Sequence, residues 1–410
     1  MFHEQRLQPH LRPNIIIHKT LSEDEERGLR YRAYLKNPYR SWAFKSDAAA
    51  SPQRYTTEAL KVTETLFEEA ASSSGNDLPH ATIYESKDEV VDYKTWSMVR
   101  DNSLIAFTNE EKRTQLTKKS SVISQDPTMW DSQGIELVSP TYKLADLDIA
   151  KSTIASLVQS VHTSTSYITT DQTCGLHVHI GLPDDKQMPI KVLQALALLT
   201  ITYESHLSML HPLHRSSGSD DINSNKNEKF LAEPGIDARD EIERDGKPYE
   251  SYAKCFEQVR KLIYEPENAS DPYEALALVM GPRTSFINWK RITGGDKAAT
   301  VEFRQHNGTL DADQISHWVQ FCAGLVKLAY KYAAEERQVL PSMTSWSDAV
   351  DFAGLIQEMA DTDCISNEIA THYTNKFDAA KAEGRDPKED IWEEKLEDDW
   401  NFDSGIDFDQ

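Results

Sequence analysis

At 410 residues the chain is too long for one ordinary core and short for three, so one large or two medium domains are expected. Lys plus Arg at 44 against Asp plus Glu at 67 gives a formal charge of −23, a field that repels a nucleic-acid backbone and an anionic membrane surface alike. Any anionic ligand must therefore be met by individual arginines in structured motifs, not by the net charge.

The N-terminal MFHEQRLQPHLRPNIIIHKT has no apolar run long enough for a signal-peptide core, and no later segment has the apolar length to span a bilayer. A cytoplasmic protein that binds neither nucleic acid nor membrane is expected. Four scattered cysteines, Cys174, Cys255, Cys322 and Cys364, lack C-x-x-C spacing, so reduced thiols fit better than a disulfide framework or a thiolate zinc site.

RPNIIIHKT is strand-like but carries no acid. From Thr56 to about Ala71, Leu60, Val62, Leu66 and Phe67 recur among charges, which predicts an amphipathic helix that SSSGND ends. Tyr93 to Val99 reads as a strand and Asp101-Asn-Ser103 as the turn after it; GIELVSP, Gly134 to Pro140, reads as another strand, closed by its proline. LADLDIAKSTIASLVQSVH predicts a helix, and IKVLQALALLTITYESHLSML one apolar on nearly every side, hence buried within its domain. The polar stretch from Pro212 to Gly246 lacks periodicity and reads as a lid or as disorder. ATVEFRQH, Ala299 to His306, is a further strand; Asp311 with Gln314 resembles a capping box before a helix carrying Ile315, Trp318, Val319, Cys322, Leu325 and Val326 at helical spacing. From Asp386 onward the acidic, Trp- and Phe-dotted tail reads as a solvated disordered segment, or as a peptide that docks on a protein partner.

CGLHVHIG carries the first chemistry. Side chains alternate along a strand, so His177 and His179 share one face while Leu176, Val178 and Ile180 share the other. Satisfied core histidines are one explanation, but a pair on one face with Gly175 and Gly181 at the ends favours a site. By the same alternation Glu302, Arg304 and His306 share a face of TVEFRQH, as a self-satisfied ion-pair network or as a site for a metal and an anionic ligand. Glu136, alone in an apolar strand, loses hydration unless a cation offsets it, and a metal would. Two Glu, one or two His and an Arg lean toward Mg²⁺ (or Mn²⁺) and nucleotide rather than zinc.

CGLHVHIG and TVEFRQHNGTLD, preceded by W-x-x-x-x-D-x-S and GIELVSP, resemble in their order the fungal and bacterial amidoligases, a branch of the glutamine-synthetase-like carboxylate–amine ligases; the match runs from about Tyr93 to Ala329. The resemblance implies an α+β fold, a curved antiparallel sheet backed by helices. It also implies an enzyme in which ATP phosphorylates a small-molecule or peptide carboxylate and an amine attacks the acyl phosphate to form an amide or isopeptide bond. Carried over by residue, Glu136, Glu302 and His177 hold metal; His179, His306 and Arg215 contact the nucleotide; Arg304 with Glu302 and His177 is catalytic; Asp101 and Ser103 face the substrate. Replacing Glu302 or Arg304 is expected to abolish turnover with the fold largely intact.

The chain organises accordingly into residues 1–75 as an N-terminal helical or extended segment, 76–340 as the catalytic domain with a lid-like insertion at 212–246, 341–385 as a helical extension and 386–410 as the tail. The family's opening strand G-x-E-x-E-F does not occur in residues 1–55. Its absence leaves open a start downstream of that strand, a truncation, or a lost metal ligand. A pseudo-ligase that binds nucleotide or a partner is the main alternative, a His-x-His metallohydrolase the next, and a Cys174–His177 nucleophile pair weaker still.

Overall fold

Val, Ile, Tyr and Thr recur in short runs in the first third of the chain and again after Cys174, and these runs form one sheet. The structure is a computed structural model, and it describes residues 12–16, 30–36, 82–84, 96–100, 130–161, 166–170, 174–182, 186–216, 222, 225, 260–264, 271–282, 284–293, 299–335 and 352–385. The chain divides into two compact units, one of Met1–Ile190 with Ile287–Lys327, the other of Lys191–Phe286 with Leu328–Gln410.

The first unit holds the sheet: β1 (Arg12–Ile16), β2 (Arg30–Lys36), β3 (Thr82–Tyr84), β4 (Ser97–Arg100), β5 (Trp130–Thr141), β6 (Ser166–Thr169), β7 (Gly175–Gly181), β8 (Ile287–Asn288) and β9 (Thr300–Asn307). The main path runs β3-β4-β5-β1-β7-β9-β8, and β2 joins β5 to β6. Every pairing is antiparallel except that of β3 with β4. Strands and helices coexist without βαβ repetition, which is an α+β fold.

Two register shifts shape the sheet. Asn14 pairs with Thr141 and Ile16 with Val138, so β5 carries one residue more than β1 at Ser139-Pro140. Proline has no N–H for a ladder, and a bulge is where a central strand tolerates it; β5 accordingly runs through Pro140 to Thr141 instead of ending there. On β9 the shift falls opposite His177: Val178 pairs with Phe303 but Leu176 with His306. Arg304 and Gln305 thus oppose a single residue of β7.

Helices among the described residues include, in chain order, α1 (Leu147–Val161), α2 (Ile190–Thr202), α3 (Glu204–Met209), α4 (Pro272–Val279), α5 (Ala312–Ala334), α6 (Phe352–Asp361) and α7 (Asn367–Ala382). α1 belongs to the first unit, together with α5 as far as Lys327. At the start of α5 the Asp311 Oδ1 accepts from the amides of Asp313 (2.9 Å) and Gln314 (3.2 Å), while the Gln314 side chain returns to the Asp311 carboxylate at 3.2 Å. A capping box would send that side chain to the Asp311 amide, which Thr309 Oγ1 occupies instead at 3.1 Å. The α5 positions expected inside, Ile315, Trp318, Val319, Cys322, Leu325 and Val326, are all buried.

In the second unit α2 is buried continuously from Val192 to Thr202, as its all-round apolar pattern predicts. Tyr203 interrupts it and α3 follows. His206 of α3 stacks on Phe352 of α6 and Phe377 of α7, with centroids 6.1 and 5.9 Å away. At and just beyond the end of α3, Arg385 donates to Ser208 O at 3.0 Å, Met209 O at 2.9 Å and His211 O at 2.6 Å.

No helix among the described residues is long and apolar enough to cross a membrane. The helix expected over Thr56–Ala71, the turn at Asp101–Ser103, most of the Pro212–Gly246 stretch and the acidic tail lie outside the described residues.

Candidate functional site

β7 and β9 are neighbours, and cross-strand partners in an antiparallel sheet share a face. His179 lies opposite Glu302, and Asn288 of β8 lies opposite Glu302 from the other side. Four titratable side chains from two strands thereby meet at one point: His177, His179, Glu302 and Arg304 are all buried, at 1% exposure or less.

Glu302 is the centre of this cluster. Its Oε1 lies 2.8 Å from Arg304 Nη1, 2.9 Å from His177 Nδ1 and 3.8 Å from His179 Nε2. Its Oε2 accepts from Asn288 Nδ2 at 2.6 Å. His179 Nδ1 lies 3.0 Å from Thr300 Oγ1, which orients that ring. Arg291, buried in the turn after β8, is near enough for the Glu302 charge to act on it.

The charges follow from these positions. Burial by itself raises the Glu302 carboxyl pKa, but the Arg304 guanidinium, then His179 and His177, outweigh it and hold the group well below the carboxylate range. Burial lowers Arg291 to about 10, and the Glu302 charge offsets only part of this. The Arg304 guanidinium and two imidazoles gather on one face around the carboxylate, with Arg291 within reach of its charge, an arrangement that suits an anion.

The structure brings together His177, His179, Glu302 and Arg304, four of the residues singled out from the sequence. Glu136 lies on β5, and register places it on their face: Ile16 of β1 lies opposite both His177 and Val138, and position 136 is one alternation from 138. Its cross-strand partner on β2 is Arg30. The side chain of Glu136, like all of Asp101 and Ser103, lies outside the described residues. Arg215 belongs to the second unit, buried in a 3-10 turn, Leu213–Arg215.

His306 needs correction. Strict alternation puts it on the face of Glu302 and Arg304, but the extra residue at Arg304-Gln305 reverses the alternation beyond it, so His306 pairs with Leu176 on the opposite face. There its ring lies 5.6 Å from that of Trp318 in α5, and its Nδ1 is 2.7 Å from Asn307 O. Asn288, Arg291 and Gln305 escaped the sequence reading. For the first two no periodic signal exists: in SFINWKR three apolar residues are mixed with four polar ones.

Of the residues that the resemblance makes metal ligands, His177 and Glu302 are described and the side chain of Glu136 is not. No group of three or more His, Cys, Asp or Glu among the described residues is arranged to hold an ion. Both Glu302 oxygens are engaged, one of them by a guanidinium that a divalent cation would repel. β1, which runs between β5 and β7, has no acidic residue.

Close approach of β7 and β9 holds the cluster together, and glycine allows it. A Cβ on Gly308 would overlap the Cys174 side chain and lie 3.1 Å from the Cys174 carbonyl carbon, while the Gly308 amide donates to Cys174 O at 2.8 Å. Gly308→Ala is expected to cost about 1–3 kcal/mol by overpacking, read as a lower urea midpoint at unchanged slope; an unchanged midpoint would show that the strands yield freely.

Comparisons with curated proteins and with solved structures return no match. A family model described as "Putative amidoligase enzyme" matches residues 39–326, a span that includes β7, β8, β9 and the whole buried cluster. The chain belongs to the amidoligase family.

Proposed function

We propose that the protein is an ATP-dependent carboxylate–amine ligase with a glutamine-synthetase-like catalytic fold, forming an amide or isopeptide bond through an acyl phosphate. Membership of the amidoligase family supports the reaction class. The observation that carries the reading within this chain is the buried Arg304–Glu302–His177 cluster, with Arg291 beside it. A carboxylate does not react with an amine in neutral water, so its oxygen must first become a phosphate leaving group. The charge that gathers on the transferring phosphoryl group must be met by fixed cations.

In this reading Arg304, held by Glu302, presents a preorganised guanidinium to that charge. His177 and His179 line the same face and donate to phosphate oxygens, and Arg291 adds a second cation. ATP brings Mg²⁺ (or Mn²⁺) bound to its own phosphates, where it neutralises charge. No step is assigned to a protein-held metal.

The test is ADP release by the full-length protein over a panel of carboxylates and amines, with wild type beside Glu302→Gln. Release that requires both a carboxylate and an amine, and is lost in the variant, is expected. No release across a broad panel would overturn ligase activity. The engagement of both Glu302 oxygens, by Asn288 and Arg304, favours one second reading, a pseudo-ligase that binds nucleotide without turnover. A rise in melting temperature with ATP and Mg²⁺ but no ADP release would establish it.

A further inference from the structure

The β9 bulge delivers a residue that the ligase reading does not use. Gln305 is fully buried, and among the described residues neither its Oε1 nor its Nε2 has a hydrogen-bond partner. Register fixes its direction. Counted back from the His306–Leu176 pair, Gln305 falls opposite His177; counted forward from the Phe303–Val178 pair, so does Arg304. Both therefore lie on the face of His177 and Glu302.

A buried amide with neither donor nor acceptor matched is a standing desolvation cost, and native proteins rarely keep one without a use. The requirement is for a ligand that offers an acceptor and a donor together, on a face that already carries the buried Arg304 guanidinium, suited to a carboxylate.

We infer that Gln305 is a substrate-contacting residue of this site and that it holds an α-amino acid: Nε2 donates to a carboxylate oxygen and Oε1 accepts from the amino N–H. The inference rests on the ligase reading for its setting, and binding requires the closed face to open.

The experiment is thermal melting of the full-length wild type, Gln305→Met and Gln305→Glu, empty and titrated with each of the twenty amino acids, with ADP release measured in parallel. Empty Gln305→Met should melt no lower than wild type, because methionine keeps the shape and removes the unmatched amide. At least one amino acid should raise the wild-type melting temperature, with about tenfold more needed for the same shift in either variant, the loss expected for one hydrogen-bonded contact. In melting, the inference is overturned by equal shifts in wild type and Gln305→Met, by no shift of the wild type with any amino acid, or by a lower melting temperature for empty Gln305→Met. Amino-acid binding that depends on Gln305 in a protein that releases no ADP would sustain the inference and remove the ligase reading; ADP release unaffected by Gln305→Met would do the reverse.

Discussion

Glu302→Ala is expected to lower folding stability by about 3–5 kcal/mol, the range for stripping one partner from a buried ion pair. Arg304 is 1% exposed and donates to Glu302 Oε1, and Asn288 donates to Oε2, so the alanine leaves a buried guanidinium and a buried amide without their acceptor. By its place in the motif Glu302 is expected to be needed for turnover with the fold largely intact; burial adds a stability loss, so activity must be compared at matched folded fraction. Urea unfolding measures it, and a change below about 1 kcal/mol would place this pair in the range of solvent-exposed ones.

Glu302 also sets a pH dependence whose sign follows from its depressed pKa. A carboxyl held lower in the folded state than in the unfolded chain contributes stability that is fully present above the unfolded value and is lost as pH falls through the folded one. The stability gap between wild type and Glu302→Gln should thus stay constant from neutral pH down to the ordinary carboxylate range, then narrow in stronger acid. Urea midpoints taken down the pH scale would show it. A gap that closes well above the carboxylate range would contradict the low pKa.

Arg304→Lys carries the second large effect. Lysine keeps the charge opposite Glu302 but replaces a planar fork of donors with a point charge on a flexible stem. If Arg304 meets the charge of the transferring phosphoryl group, turnover should fall by about 10²–10³, the range for one preorganised donor, with a smaller loss of stability than Glu302→Ala. ADP release at saturating ATP, set against the urea midpoint of the same variant, separates the two. Equal losses in both would make Arg304 a structural partner of Glu302 and no more.

Much of the site was legible because strand alternation is a local property. His177 and His179 fall on one face at any register, and Glu302 and Arg304 follow the same rule as far as the bulge. The apolar surround of α2 and the buried stripe of α5 were equally local. His306 was misplaced because a bulge arises from how two strands pair, and no residue of TVEFRQH marks it. Asn288 was invisible for a related reason: β8 is two residues long, too short for a periodic signal, and acquires its meaning only opposite Glu302. Gln305 carries no local pattern of its own, and only the pairing sets it opposite His177.

By itself, then, the sequence determined the amidoligase family, the α+β class and the shared faces of His177 with His179 and of Glu302 with Arg304, because these reside in ordered motifs and in period-two and helical patterns. Tertiary structure alone decided that β8 and β9 close around one carboxylate, that the extra residue on β9 sends His306 to the Trp318 side, and that Gln305 takes its place on the polar face. Alternation is fixed by the backbone of a single strand, whereas register and bulges are fixed by the balance of pairing and packing between strands distant in the chain.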